Sequence, residues 1–154
     1  MAVKPIPDGY HSITPYLIVD DAARALEFYK KGLNAVELLR MPAPGGKIGH
    51  AEIRIGNSTV MLADESPAMG ARSARTIGGS PITLMVYLED VDARVAQAVA
   101  AGATVVRPIA DQFYGDRTCC IEDPFGLQWY LATHVEDVPP DELEKRAAKA
   151  MAQA

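Results

Sequence analysis

Two stretches of the sequence bring together side chains that exchange protons or bind ions. In the first, His50, Glu52 and Arg54 alternate with apolar residues; in the second, RTCCIEDPFGLQWYLATH (residues 117–134), adjacent cysteines precede an Asp-Pro-Phe-Gly turn and the stretch ends at His134. Histidine and glutamate suit general acid–base chemistry, and both can bind a metal, as cysteine can. A cysteine near a histidine can also act as a nucleophile. These residue types therefore predict proton transfer, metal binding or nucleophilic catalysis.

The composition is that of one globular domain. The chain has 154 residues, of which 49% are hydrophobic and 23% charged, and we expect a single domain over residues 1–154. The net charge of −5 disfavours binding to nucleic acid. No apolar run is long enough to span a membrane, and the first residues lack the apolar core of a signal peptide. We therefore expect a cytoplasmic protein that binds neither nucleic acid nor a membrane.

The chain contains the same layout twice. TPYLIVDDAARALEFYKKGLNAVELLR and TLMVYLEDVDARVAQAVAAGATVVRP each run from an apolar strand through acidic capping residues and a helix to a β-branched strand. Two further strands around a glycine turn follow each helix, with Gly56 opposite Gly126. One apolar face of each helix is predicted to be buried: Ala22, Leu26, Tyr29 and Leu33 in the first, and Val91, Val95, Ala98 and Val99 in the second. The repeat predicts an α+β fold of two tandem βαβββ modules.

Composition also indicates the boundaries of the modules. Module one covers about residues 10–64 and module two about residues 82–137. Residues 65–81 between them are rich in Gly, Ser, Ala and Pro, as is typical of a flexible linker, and their arginines either reach a ligand or stay solvated. The alanine-rich tail predicts a C-terminal helix at about residues 139–152, packed on its own core or on a partner chain.

The doubled layout, the DPFG turn and the stretches TPYLIV, GHAEIRIG, VMLAD, DQFYGDR and ATHVEDV resemble the vicinal oxygen chelate superfamily. This superfamily includes glyoxalases, bleomycin and fosfomycin resistance proteins and extradiol dioxygenases, and within it the sequence is most similar to the PhnB-like branch. The resemblance implies two modules whose curved mixed sheets surround a cavity. In the metal-dependent members, a divalent ion in that cavity polarises substrates with two adjacent oxygens. Binding-only members keep the cavity without the ion, so the fold does not decide the function.

The positions that hold the metal in this family carry poor ligands here. They fall on Thr14 and Thr83 in the first strand of each module, and on Val60 and Tyr130 in the last strand. Threonine and valine are not normal ligands of a transition metal, and tyrosine is an infrequent one. We therefore expect no metal centre and no cofactor. The alternative is a divalent metal on unconventional ligands, for which the available set is His50, Glu52, Glu122 and His134.

Strand alternation predicts which side chains face the cavity. His50 and Glu52 should face it, with the intervening residues packed under the helix. Cys119 should be a core residue, whereas Cys120 should line the cavity as the counterpart of His50. The predicted ligand-binding residues are Thr14, Tyr16, His50, Thr83, Met85, Tyr114, Arg117, Cys120, Gln128, Tyr130 and His134.

Several of these candidates also have a purely structural interpretation. His50 could act as a general base, or it could pair with Glu52 on a polar sheet face. Arg117 could bind a carboxylate or phosphate, or it could pair with Asp116 to fix the turn. His134 could be a displaced metal ligand or a surface group at the end of a strand. The DQFYGDR stretch predicts an aromatic lip at Tyr114.

The altered metal positions favour a small-molecule binding protein, which we expect to be a homodimer holding a small organic ligand by burial, stacking and a few polar contacts. One alternative is a metal-dependent lyase, isomerase or dioxygenase of the glyoxalase type with unconventional ligands. Another is a metal-free enzyme. The sequence leaves open whether the chain is an enzyme, and the catalytic candidates are His50, Glu52, Cys120 and Glu122.

Overall fold

The computed structural model describes residues 3–152, which form two modules and a C-terminal helix. Module one contains β1 (Tyr16–Val19), α1 (Ala22–Leu33), β2 (Val36–Ala43), β3 (Lys47–Ile55) and β4 (Ser58–Asp64). The short helix α2 (Ala74–Ile77) lies between the modules. Module two contains β5 (Thr83–Tyr87), α3 (Val91–Ala101), β6 (Thr104–Asp111), β7 (Asp116–Glu122) and β8 (Gln128–His134). Helix α4 (Pro140–Met151) follows.

Each module forms its own four-stranded mixed sheet. The strand order is β1-β4-β3-β2 in the first sheet and β5-β8-β7-β6 in the second. In both sheets the first strand of the module pairs in parallel with the last, and the other pairs are antiparallel. This topology confirms the predicted α+β fold of two tandem βαβββ modules with a C-terminal helix.

Acidic side chains begin the long helix of each module, α1 and α3, as the sequence predicts. Asp21 and Asp90 each accept a hydrogen bond at 3.0 Å from the backbone N–H three residues further on. Asn34, in the left-handed conformation (φ 53°), caps the C-terminus of α1, and Gly102 (φ 120°) caps the C-terminus of α3. The helix boundaries are therefore set by local capping.

The predicted apolar faces of the helices are buried, with one exception. The four residues named for α1 are at most 4% exposed, and Val91, Val95 and Ala98 of α3 are at most 6% exposed. Val99 is 44% exposed, so its predicted burial is wrong. It lies at the margin of the stripe formed by the other three, where the helix surface turns towards solvent.

Helices α1 and α3 contact each other, so the two modules share one hydrophobic core. Gly32 of α1 lies at this contact. A Cβ atom at Gly32 would lie 3.3 Å from the Cβ of Ala101 and 3.4 Å from the Cα of Ala98. Glycine costs about 1 kcal/mol relative to alanine inside a helix, and here it permits the close approach of the two helices.

A buried carboxylate forms a second link between the modules. Asp123, in the turn between β7 and β8, accepts hydrogen bonds from the backbone N–H groups of Phe125 (2.9 Å) and Leu127 (3.0 Å). Its other oxygen accepts from the hydroxyl of Tyr29 in α1 (2.7 Å) and from the indole of Trp129 (2.9 Å). Burial raises the pKa of Asp123, and the four donated hydrogen bonds oppose this shift. Burial and the adjacent carboxylate also raise the pKa of Tyr29 well above its usual value.

The segment 65–81 is more structured than its composition predicts. It contains a 3₁₀ turn (Pro67–Met69) and helix α2, which is capped by Ser73. Glu65 accepts hydrogen bonds from the backbone N–H of Ser73 (2.9 Å) and from the hydroxyl of Thr76 (2.6 Å). These bonds lower the pKa of Glu65 to about 2. Side-chain hydrogen bonds therefore give this connection a definite shape.

Helix α4 is attached to module two by Arg146, which donates to both carboxylate oxygens of Glu136 at 2.8 Å. Between residues 3 and 152, no helix combines the length and the apolar character that crossing a membrane requires.

Candidate functional site

Each sheet packs one face against helices, and we call the opposite face its open face. Tyr16 pairs with Met61 and Met61 pairs with Glu52, which places these three side chains on the open face of module one. His50 shares this face because it is two residues from Glu52 on the same strand. The intervening strand residues are buried, and Ile53 has no exposed surface. Strand alternation therefore separates the polar and apolar residues as predicted.

A continuous chain of hydrogen bonds crosses the open face of module one. The hydroxyl oxygen of Tyr16 lies 2.9 Å from Nδ1 of His50, and Nε2 of His50 lies 3.0 Å from Oε1 of Glu52. The other carboxylate oxygen of Glu52 accepts a hydrogen bond from the hydroxyl of Tyr10. Glu52 is 9% exposed, whereas Tyr16 is 50% exposed. The chain thus leads from a buried carboxylate to an accessible phenol.

The electrostatics of this chain favour an ionised Glu52. Its hydrogen bond with His50, followed by that with Tyr10, lowers the pKa of Glu52. The same carboxylate raises the pKa of Tyr10. The segment that carries Tyr10 is also held by Thr59, whose hydroxyl donates to the carbonyl oxygen of Gly9 at 2.8 Å. The sequence did not indicate Tyr10, because it precedes the first strand and no local pattern connects it with Glu52.

The two modules differ in the turn between their last two strands. Residues 56 and 57 alone separate the paired residues Ile55 and Ser58, whereas residues 123–127 separate the paired residues Glu122 and Gln128. Because of the longer turn, equivalent residues of the two modules are separated by different numbers of residues before and after the turn. The equivalences obtained by matching the two turn glycines are therefore wrong, by one residue between β4 and β8 and by two residues between β3 and β7.

Tyr130 shows the displacement. In module two, Tyr130 pairs with Met85 of the first strand and with Cys120 of the third strand. In module one, Met61 pairs with Tyr16 of the first strand and with Glu52 of the third strand. Met61, and not Val60, is therefore the counterpart of Tyr130. Val60 is 4% exposed and belongs to the core.

The open face of module two is centred on Tyr130. Arg107 donates to the hydroxyl of Tyr130 at 2.6 Å, and its guanidinium lies 5.9 Å from the centre of the ring. Met85 lies beside Tyr130 and is 45% exposed. Arg107 was not among the predicted site residues, although a single charge in the otherwise apolar stretch 105–110 of β6 was a signal for it.

The two cysteines are buried thiols. Both are 1% exposed, and Cys119 belongs to the hydrophobic core, as predicted. Cys120 lies on the open face of module two, where strand pairing makes it the counterpart of Glu52, not of His50. Burial raises the pKa of both thiols. Since the thiolate is the nucleophile, this environment does not activate Cys120.

His134 lies in a separate polar cluster at the end of β8. Its Nδ1 is 2.7 Å from the buried carboxylate of Asp116, and its Nε2 is 2.9 Å from Asp137. Tyr87 donates to the second oxygen of Asp116 at 2.8 Å. Asp116 and Asp137 raise the pKa of His134. Because both ring nitrogens of His134 contact carboxylates, this side chain connects the end of β8 to Asp116 of β7 and to Asp137.

Arg117 is held in ion pairs. It donates to both oxygens of Asp92 (2.7 and 3.0 Å) and to Asp111 (2.9 Å), and these bonds raise the pKa of Arg117. The predicted pairing with Asp116 is wrong, because neighbours in a strand point to opposite faces. Tyr114 is 38% exposed and packs edge-on against the preceding aromatic ring, with the centroids 5.2 Å apart.

Cavities occur at the edge strands β1 and β5. One of about 380 Å³ is lined mainly by apolar residues, together with Tyr16, Gln128 and Arg72. A second, of about 560 Å³, is lined by Met85 among others. Thr83 lies exposed at the start of β5 and pairs with Gln128. Of the predicted ligand-binding residues, Tyr16 and Gln128 thus share the first cavity.

With the corrected pairing, the metal positions that the resemblance to the vicinal oxygen chelate superfamily implies fall on Thr14, Met61, Thr83 and Tyr130. Thr14 and Met61 line a cavity of about 470 Å³ under the N-terminal segment. Two hydroxyls, a thioether and a phenol offer no imidazole or carboxylate, so this donor set does not fit a divalent transition metal.

The unconventional metal ligands predicted as an alternative do not meet. His50 and Glu52 lie on the first sheet, whereas Glu122 and His134 lie at opposite ends of the β7–β8 ladder of the second sheet. Over the described range 3–152, no three His, Cys, Asp or Glu side chains form a group that could hold a metal ion.

Comparison with known sequences finds relatives over most of the chain. The model of the Glyoxalase/Bleomycin resistance protein/Dioxygenase superfamily matches residues 9–131. A protein of Mycobacterium bovis whose name states no function is 46% identical over 136 residues, covering 86% of this chain and 90% of the relative. A protein of Arabidopsis thaliana is 29% identical over 115 residues, covering 70% of this chain and 69% of the relative.

Solved structures share the fold. TioX from a Micromonospora species is 27% identical with a TM-score of 0.66, covering 81% of this chain and 99% of TioX. An Arabidopsis thaliana gene product is 26% identical with a TM-score of 0.65, covering 80% of this chain and 98% of the relative. The fosfomycin resistance protein FosX from Listeria monocytogenes, crystallised with Mn(II) and a dihydroxypropylphosphonic acid, is 17% identical with a TM-score of 0.61, covering 87% of this chain and 94% of FosX. At that identity, the likeness to FosX concerns the fold alone.

Proposed function

The chain belongs to the glyoxalase/bleomycin resistance protein/dioxygenase superfamily, and we propose that within it the chain is a small-molecule binding protein that lacks the family's metal centre. The observation that carries this proposal is the set Thr14, Met61, Thr83 and Tyr130 at the metal positions. The scaffold is kept, but the donors that hold a divalent ion are absent from these positions. The quoted sequence stretches support a place in the PhnB-like branch.

The cavity of about 380 Å³ supports a small organic ligand. Ligand cavities typically measure about 300–1,000 Å³ and combine an apolar wall with a few polar groups. Here Ile82 and Leu84 contribute apolar wall, while Tyr16, Gln128 and Arg72 offer hydrogen bonds and a positive charge. The ligand class that fits is a compact apolar molecule with one anionic or hydrogen-bonding end.

A homodimer is the second part of the proposal. The edge strand β2 exposes Leu38 (44%) and Met41 (50%), and the edge strand β6 exposes Val105 (42%) and Val106 (44%). Exposed apolar edge strands favour association, and a second copy is the partner that the duplicated architecture fits best. Light scattering should give twice the chain mass at micromolar concentration. A monomer at all concentrations would contradict this assembly.

A cytoplasmic location without nucleic-acid or membrane partners remains a prediction from composition.

Binding is tested by a thermal-shift screen of small organic acids, alongside metal analysis of protein purified without chelator. We expect stabilising ligands and substoichiometric metal. Ile82→Trp, which fills the cavity, should weaken binding about tenfold or more, whereas Met69→Trp, at an exposed position of the segment 65–81 outside the cavity wall, should not. A stoichiometric divalent metal, together with metal-dependent turnover and no binder in the screen, would overturn the proposal.

A further inference from the structure

On the open face of module one, the hydroxyl of Tyr16 contacts the imidazole of His50, which in turn contacts the carboxylate of Glu52. An ionised carboxylate only accepts hydrogen bonds, so Glu52 requires a proton on Nε2 of His50. In the neutral ring, Nδ1 is then an acceptor, and the hydroxyl of Tyr16 donates to it at 2.9 Å. A hydroxyl on an imidazole that a carboxylate orients is the arrangement by which proteins increase the basicity of an oxygen.

We propose that Tyr16, His50 and Glu52 form a metal-free proton relay whose ligand is a small molecule with an acidic enol or phenol hydroxyl. This proposal rests on the proposed small-molecule binding function and names its ligand class. Tyr16 is the catalytic residue because its oxygen meets the ligand. His50 and Glu52 act through Tyr16.

The step conserves atoms and charge without a co-reactant. The ligand hydroxyl gives its proton to the oxygen of Tyr16 while the Tyr16 proton moves to Nδ1 of His50. The ligand becomes an oxyanion that accepts a hydrogen bond from Tyr16, and the imidazolium is stabilised by the Glu52 carboxylate. The reverse transfer returns the proton to oxygen or, for an enolate, to carbon. Return to carbon completes an enol-to-keto conversion.

Module two shows that the fold does not need this relay. Strand pairing places Met85, Thr118 and Cys120 at the positions equivalent to Tyr16, His50 and Glu52. The same sheet is therefore built with no ionised group at these positions. Burial of the Glu52 carboxylate costs free energy unless its hydrogen bonds are satisfied. In module one these bonds come from Tyr10, which Glu52 helps to hold, and from His50, whose ring Glu52 orients.

Exposure and position make Tyr16 the end of the relay that a ligand reaches. Its residue surface is 50% exposed, whereas the side chain of His50 is 23% exposed. Tyr16 also forms part of the wall of the 380 Å³ cavity that contains Arg72. Tyr16 is the member of the relay that lines this cavity, so an acidic ligand bound there would lie beside Tyr16 and the positive charge of Arg72.

The test compares two probes of similar shape, 4-nitrophenol and its methyl ether 4-nitroanisole, with the full-length protein. Only the phenol carries an acidic proton, and its ionised form has a distinct absorbance. We expect the wild type to bind 4-nitrophenol about tenfold more tightly than the ether and to increase the ionised fraction of the bound probe. Tyr16→Phe should remove both differences, and His50→Gln should bind the phenol without ionising it. His11→Gln, at an exposed histidine outside the relay, should match the wild type.

The outcomes separate the relay from the binding function. Equal ionisation of the bound phenol by the wild type, Tyr16→Phe and His50→Gln would overturn the relay. Equal affinity for both probes, with no ionisation of the bound phenol, would also overturn the relay but would leave small-molecule binding intact. The same conclusion would follow if neither probe bound while the ligand screen found other binders. Failure of the probes and of the screen would overturn both proposals. Unchanged melting temperatures of the variants confirm that each loss is local.

Discussion

Replacement of Asp123 should measure the link between the two modules. Asp123→Ala leaves four donors without an acceptor, at a residue that is only 4% exposed. An unsatisfied buried polar group costs about 1–3 kcal/mol, and water entering the small cavity would satisfy part of this demand. We therefore expect a loss of about 4 kcal/mol, at the upper end of single-residue effects.

Two milder variants divide this effect. Asp123→Asn keeps an oxygen for the two backbone N–H groups but turns an amide N–H₂ towards the donors Tyr29 and Trp129, so we expect a loss of about 2 kcal/mol. Tyr29→Phe removes one hydrogen bond and keeps the ring, for a loss of about 1–2 kcal/mol. Asp8→Asn, whose side chain is 85% exposed, is the matched control and should stay within about 0.5 kcal/mol of the wild type.

Urea unfolding followed by fluorescence gives these free energies, because Trp129 is the sole tryptophan and lies inside the cluster. The midpoint should fall at an unchanged m-value if the native and unfolded surfaces are preserved. The wild type should unfold in one transition, since Tyr29 and Asp123 tie the modules together. If both Asp123 variants retain wild-type stability, or the wild type unfolds in two steps, this account of the inter-module link is wrong.

Three other perturbations have definite expected results. Gly115→Ala should lower the free energy of unfolding, measured in urea, by more than about 3 kcal/mol, because a Cβ at φ 99° would lie 2.0 Å from a backbone carbonyl oxygen. Gly56→Ala, which has open space around the added Cβ, should lower it by only about 1 kcal/mol. Equal losses in the two variants would contradict the clash. The raised pKa of His134 means that its stabilising contribution is complete below the usual histidine pKa and is lost as the pH rises through the raised value, so His134→Gln should flatten the melting temperature over that range; an unchanged profile would refute the coupling. Cys119 and Cys120 should react with a thiol reagent only on unfolding, and rapid labelling of the native protein would show that burial does not protect them.

Local geometry explains what the sequence could predict. Strand alternation identified Ile53 as buried and Glu52 as belonging to the opposite face, and helical periodicity identified most of the buried stripe of α3. Acidic caps marked the starts of α1 and α3. Each of these signals is contained in a few consecutive residues, so the doubled fold follows from the sequence.

Turn length and long-range side-chain contacts could not be predicted in the same way. A glycine marks a turn without giving its number of residues, and so the displacement of Tyr130 relative to module one was not visible. Tyr10 and Glu52 are 42 residues apart, and Tyr29 and Asp123 are 94 apart. No pattern along the chain connects such pairs, because their contact depends on how the sheets and helices pack.

The extended turn at residues 123–127 bears on the history of the two halves. A tandem duplication begins with interchangeable copies, yet Asp123 occurs in a turn that is longer in module two than in module one, and it accepts a hydrogen bond from a tyrosine of module one. A chimaera of two first halves would lack the acceptor, and one of two second halves would lack the donor. The hydrogen bond therefore needs one copy of each half, and the two halves are no longer interchangeable in this contact.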